Sequence, residues 1–182
     1  MKGCSSARGS LARPMARLAA LAMMVLGALA PPPASAQNGP CDAPEFRQFD
    51  FWLGTWTVRG REGRVTGTSQ IERTHGGCVL HERYTTDRGY SGESRNVYDA
   101  SRRVWHQSWV DSGGLLLVLE GGLRDGQMVL EGRATQKGGK VVRHRISWSP
   151  QADGGLRQLW EQTNDSGDWV IAFDGRYTRK AP

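Results

Sequence analysis

From residue 55 onward the chain is a succession of short runs rich in β-branched and aromatic residues, nearly all separated by glycine-bearing turns. The runs fall at 55–59, 66–74, 78–86, 93–98, 104–110, 115–120, 127–135, 141–148, 156–162 and 169–178. Between them stand pairs and triplets such as Glu62-Gly63, Gly76-Gly77, Asp125-Gly126, Gly138-Gly139 and Asp153-Gly154-Gly155. Glycine supplies the positive φ that a tight hairpin requires. About ten strands, each close to its sequence neighbour, predict an all-β, up-and-down antiparallel sheet, and closing that sheet into a barrel removes its exposed edges. No long segment of helical periodicity exists to build an α/β fold. Ahead of the strands, Pro44 suits the first position of a helix, with Asp42 nearby as a cap. Phe46, Phe49, Trp52 and Leu53 recur at helical spacing, which predicts a short helix over 45–53, ended by Gly54, that covers one end of the domain.

Alternation assigns the strand faces, because successive side chains point to opposite sides of a sheet. Val142, His144, Ile146 and Trp148 share one face; Met128 and Leu130 share another; Trp169, Ile171, Phe173 and Tyr177 lie opposite Asp174 and Arg176. The runs 78–86, 104–110 and 156–162 are mixed on both faces. Taking the more aromatic or apolar face as interior puts Glu82, Asn96, Gln107, His144 and Gln158 inside, among Tyr84, Tyr98, Trp105, Trp109, Trp148 and Trp160. A solid apolar core does not accept so many polar groups, since each unpaired one costs free energy. Either the barrel encloses a lumen, or these groups satisfy one another, or the register differs on a strand or two. With a lumen, Glu82, Tyr98, Gln107, Trp109, His144 and Trp160 are expected to line one ligand cavity, aromatic rings giving buried area and polar groups giving orientation.

Gly54-Thr55-Trp56 resembles the G-x-W element of the calycin superfamily, the barrels of lipocalins and fatty-acid-binding proteins. The resemblance implies that Trp56 closes one barrel end and that a basic residue of the last strand, Arg176 or Arg179, packs across its ring. A longer set of elements covers most of 41–180: Phe49-Asp50-Phe51-Trp52-Leu53-Gly54-Thr55-Trp56, Gly76-Gly77-Cys78, Tyr98-Asp99, Trp105 through Trp109-Val110-Asp111, Arg157-Gln158-Leu159-Trp160-Glu161-Gln162 and Phe173-Asp174-Gly175-Arg176-Tyr177. These resemble a family of small exported bacterial proteins of unknown function with a calycin-like barrel. That family carries no established activity, so the resemblance transfers no catalytic residue.

The N-terminus has the three parts of a secretory signal. Lys2, Arg8, Arg13 and Arg17 form a positive stretch without an acid; residues 18–30 are apolar or small; Pro31-Pro32-Pro33 then leads to Ala34-Ser35-Ala36, an A-x-A cleavage site. The expected organisation is a signal peptide at 1–36, a polar lead-in at 37–44 and a barrel domain at 45–182. The apolar run is too short for a permanent span, so no membrane span is expected after cleavage; an uncleaved anchor helix is the alternative. Cys4 precedes the apolar stretch and is not placed for lipid modification. Export to the periplasm or beyond follows. The whole chain has 24 basic and 18 acidic residues. Without the four basic residues of 1–36, 20 stand against 18, which gives little reason to expect a nucleic-acid partner. Cys41 and Cys78 remain, and in an oxidising compartment two cysteines most simply pair; a catalytic thiol at Cys78 with His81 nearby is the sharper alternative.

Catalytic signatures are sparse. Gly89-Tyr90-Ser91-Gly92-Glu93 begins like a serine-nucleophile elbow but has Glu93 where the last glycine is required. Glu82 and Glu161 are expected on opposite faces. His75, His81, His106 and His144 include no H-x-H or H-x-x-x-H pair, so no preassembled metal site is expected. His144, flanked by apolar residues at i±2, is either a satisfied core histidine or a polar contact in a barrel mouth, where it could serve as an axial haem ligand. The combined expectation is a barrel that binds a small apolar or aromatic molecule of unknown identity. The alternatives are a haem-binding barrel, an enzyme using a lumenal acid/base such as Glu82, and an interaction protein with a filled barrel. N-terminal sequencing of the exported protein should begin at Gln37; an intact Met1 in the membrane fraction would refute the signal.

Overall fold

The computed structural model describes residues 39–180, so the signal and cleavage site assigned to 1–36 lie outside the described residues. Ten strands make up the molecule: β1 (Gly54–Arg59), β2 (Val65–Thr74), β3 (Val79–Thr85), β4 (Ser91–Asp99), β5 (Val104–Asp111), β6 (Leu116–Arg124), β7 (Gln127–Thr135), β8 (Val141–Pro150), β9 (Leu156–Thr163) and β10 (Trp169–Arg179). Each pairs antiparallel with its sequence neighbours, and β1 pairs with β10, so the barrel is closed. No helix among the described residues is long and apolar enough to cross a membrane.

The expected short helix is present as two consecutive 3-10 turns, Pro44–Arg47 and Asp50–Trp52. Pieces of three or four residues favour the tighter i→i+3 bonds, as in Trp52 N–H to Phe49 O at 3.2 Å and Leu53 N–H to Asp50 O at 3.0 Å. Asp42 does not cap the first turn; the cap position is Ala43, and the Asp42 carboxylate accepts from Arg47 at 3.0 Å instead. Phe49 and Trp52 are fully buried. They plug the barrel end where β1, β3 and β5 begin. Phe49 stacks on Trp52 at 4.8 Å and meets Trp148 and Trp105 edge-on at 5.1 and 5.6 Å. Trp105 donates its indole N–H to Gln48 Oε1 at 3.2 Å.

The G-x-W element sits in this plug. Trp56 donates Nε1–H to Trp52 O at 2.8 Å, and the Arg179 guanidinium lies 4.4 Å over its ring while Nη1 donates to Leu53 O at 3.1 Å. Gly54 has φ +123, and a Cβ there would stand 2.7 Å from Arg179 Nη1, so both backbone angle and space call for glycine. Arg176 is on the outward face of β10 and pairs with Asp153; the expected choice between two arginines therefore falls to Arg179. Cys41 and Cys78 are joined, tying the lead-in to the β2–β3 connection. Pairing leaves Cys78 no free thiol for the catalytic alternative. Closing a loop with a sequence separation of 37 restricts the unfolded chain by about 3–4 kcal/mol.

The interior faces chosen for β3, β5 and β9 hold Leu80 and Glu82, Trp105 and Gln107, and Leu156, all buried. The assignment for β10 needs correction. Its pairing shifts between Ile171 and Phe173, so Ile171 faces Glu161 while Phe173 faces Trp160. A bulge inserts one residue and flips the side-chain period. Phe173 and Tyr177 point inward as expected, but Ile171 is exposed. Trp169 lies outside, with the guanidinium groups of Arg143 and Arg145 at 5.1 and 4.5 Å from its ring.

Removing the Trp56 indole leaves a cavity in the plug and strips Arg179 of its platform. Trp56→Ala should cost about 3–5 kcal/mol in urea unfolding, whereas Arg176→Ala, which breaks an exposed ion pair, should stay within about 1 kcal/mol. A Trp56→Ala cost below about 1 kcal/mol would refute the clamp.

Candidate functional site

Opposite the plug, where β1, β3 and β5 end, the barrel opens into a cavity of about 820 Å³. Aromatic walls come from Tyr84, Tyr90, Trp109, Trp160 and Phe173, with Leu117 and Ile146 between them. Glu82, Gln107 and Tyr177, all buried, form the floor together with Gln158, and Arg64, Asp87 and Arg88 are exposed at the rim.

The floor is a hydrogen-bonded chain. Gln107 Nε2 donates to Asn96 Oδ1 at 2.8 Å; Asn96 Nδ2 donates to Ser94 Oγ at 2.9 Å; Ser94 donates to Glu82 Oε2 at 3.0 Å. Ser69 donates to Glu82 Oε1 at 2.9 Å. The side chains come from β2, β3, β4 and β5, and the cross-strand register places Ser69, Glu82 and Ser94 within reach of one another. Burial pushes the Glu82 carboxyl up to about 7, against the two serine hydrogen bonds that favour its ionised form. Tyr177 donates its hydroxyl to Gln158 Oε1, and burial holds its phenol well above the usual range.

At the mouth, one carboxylate positions two rings. Asp111 Oδ2 accepts from Tyr90 OH at 2.9 Å and Trp109 Nε1 at 3.1 Å, while Oδ1 accepts the Gly113 and Leu115 amides at 2.8 and 3.2 Å. Burial pushes Asp111 up, but these hydrogen bonds outweigh it and hold the carboxyl below its ordinary value. Gly92 lies beneath Trp109; a Cβ there would be 2.3 Å from the indole. An inward glycine thus gives a large ring room to lie against the strand.

Of the six residues expected to share a cavity, Glu82, Gln107, Trp109 and Trp160 surround it. Tyr98 faces inward but at the plugged end, against Phe46 at 5.3 Å and Trp105 at 6.0 Å, because β4 starts at the mouth and Tyr98 is its next-to-last residue. His144 is only 3 % exposed and lies beside Trp160, whose Nε1–H it accepts at Nδ1 over 3.1 Å; the Trp160 ring, not the imidazole, faces the cavity. Burial lowers the His144 pKa and keeps the ring neutral. An axial haem ligand must present a ring nitrogen to the cavity, and no histidine is in its lining, so this arrangement does not fit a haem held by His144. Glu161 faces outward to Arg145 at 2.9 Å and cannot join Glu82. Among the described residues no group of three His, Cys, Asp or Glu side chains is placed to hold a metal ion.

Sequence reasoning missed Ser69, Ser94, Tyr177 and Asp111. Ser69 and Ser94 share the inward face with residues it did identify, and alternation on β2 and β4 could have found them. The Asp111 bracket depends on the β5–β6 turn folding back, for which no sequence spacing gives a signal. The closed ten-strand barrel is consistent with a calycin-like architecture. No protein-family model and no curated protein matches the chain.

Glu82 gives the site a pH signature. Its ordinary value is 4.5 and its folded value about 7, so between these the folded state holds the extra proton and stability falls as pH rises. The loss is absent below the lower value, complete above the upper one, and at most about 3 kcal/mol. Glu82→Gln removes it. Unfolding measured at pH 5 and pH 8 should show the variant gaining on the wild type at pH 8; the same difference at both pH values would refute a raised Glu82.

Proposed function

We propose that this chain is exported and binds a small, partly apolar molecule in the mouth cavity. The carrying observation is that cavity: about 820 Å³, aromatic-walled, with convergent polar groups on its floor. Small-molecule sites commonly have roughly 300–1,000 Å³, mostly apolar walls and a few fixed polar groups. Five rings give the body of such a ligand a large contact area at little entropic cost, and Asp111 holds two of them before the ligand arrives. Export is supported by the tripartite pattern of 1–36 and by the Cys41–Cys78 disulfide, a bond that persists in oxidising compartments. Periplasmic or extracellular residence follows.

A second reading has one observation in its favour. A carboxyl with a pKa near 7 suits proton transfer at neutral pH, and Glu82 has that value. Both its oxygens, however, are engaged by serine hydroxyls, and the other titratable group of the floor, the Tyr177 phenol, is raised well above its ordinary value by burial and donates its proton to Gln158. Binding is therefore the better account.

Native mass spectrometry of protein purified from the exporting host should reveal a bound small molecule, and calorimetry should detect 2-(1-naphthyl)ethanol entering the emptied cavity. Trp109→Ala should weaken that probe about tenfold or more, by loss of one buried ring. Protein that carries no adduct and takes up no apolar probe would overturn the reading.

A further inference from the structure

The direction of the hydrogen bonds on the cavity floor is informative. Asn96 must turn its oxygen toward Gln107 Nε2 and its amide N–H toward Ser94 and the Leu80 carbonyl, at 2.9 and 3.2 Å. Ser94 Oγ, already accepting, has its own proton free for Glu82 Oε2. Every link therefore passes a donor toward Glu82, and Ser69 does the same from the other side. Each carboxylate oxygen receives a proton, which is the arrangement that suits an ionised carboxylate.

That carboxylate has no cation. No lysine, arginine or histidine among the described residues donates to either oxygen, and none forms an ion pair with it. The phenols Tyr84, Tyr90 and Tyr177, on which the Glu82 charge acts, are all raised by burial and so neutral from pH 5 to 8. The side chain is only 3 % exposed yet lines the cavity. A buried, unpaired anion is costly, and an opposite charge placed against it relieves that cost. At the rim Arg64 is paired with Glu62, and the exposed Asp87 and Arg88 carry opposite charges. Aromatic faces at Trp109, Trp160 and Tyr84 surround the route to Glu82, and such faces attract organic cations.

We propose that the ligand class of this cavity is a hydrophobic amine, whose ammonium pairs with Glu82 on the floor while its apolar body lies between the aromatic walls. The inference rests on the binding reading above. The ammonium supplies the missing counter-charge, and the remaining donor capacity of the –NH₃⁺ group meets the Gln107 side-chain carbonyl oxygen, which no other described side chain engages. A carboxylic acid or phosphate ligand would meet Glu82 with like charge and is disfavoured by the same geometry.

The test uses an isosteric pair, 2-(1-naphthyl)ethylamine and 2-(1-naphthyl)ethanol, titrated by calorimetry into the processed protein. At pH 8 the amine should bind at least about tenfold more tightly than the alcohol, which corresponds to one charge-assisted contact. Glu82→Gln should bring the amine and alcohol affinities within about twofold of each other, and a cooperative urea unfolding transition shows that the variant is folded. In the wild type, lowering the pH from 8 to 5.5 should weaken the amine by more than about tenfold through protonation of Glu82, and leave the alcohol nearly unchanged. Equal affinities for the pair at pH 8, or an amine preference indifferent to both Glu82→Gln and pH, would overturn the inference while the binding reading stands. Failure of both probes to bind would overturn both.

Discussion

The pairing of β1 with β10 is the constraint on which the other features depend. Without it the ten strands form an open sheet with two exposed edges, and early, middle and late strands no longer surround one space. The pairing is short, Trp56 to Arg59 against Arg176 to Arg179, and it gains its strength from the plug. Trp56 is held by the Trp52 carbonyl beneath and the Arg179 guanidinium above, so the first and last strands are locked to the same aromatic cluster. The disulfide fixes the segment that carries this cluster.

Closure brings a packing problem that the molecule solves unevenly. One half of the interior is filled by Phe49, Trp52, Trp105 and Trp148 and behaves as an ordinary core. The other half holds Ser69, Glu82, Ser94, Asn96 and Gln107. A polar layer of this kind destabilises an apolar interior unless every member finds a partner. Here the members from four strands satisfy one another in a single direction, and the layer separates solid core from open cavity.

Much of this was legible in the sequence, because turn chemistry and side-chain alternation are local. Strand number, antiparallel order and the inward placement of Glu82, Gln107, Trp109 and Trp160 all follow from period-two patterns between glycine-marked turns. Position along the barrel axis was not legible: Tyr98 has the right face but the wrong end, since alternation says which way a residue points and not how deep it lies. The β10 bulge defeated alternation itself, sending Trp169 outside, because one extra residue leaves no mark on composition. His144 pointed inward as expected, and only the three-dimensional neighbour Trp160 decides that it is covered. The choice of Arg179 over Arg176 needed only parity counted on from Tyr177.

The plug, the disulfide and the Trp56–Arg179 clamp all stand at one end, and the loops around the mouth take part in none of them. The connections at 60–64, 86–90, 112–115, 136–140 and 164–168 are held mainly by their own turn hydrogen bonds and by a few side chains such as Asp111. The packed plug and the open cavity thereby lie at opposite poles of the molecule. Such a division leaves the mouth open to substitution: a changed side chain there disturbs neither the aromatic plug nor the strand pairing that closes the barrel.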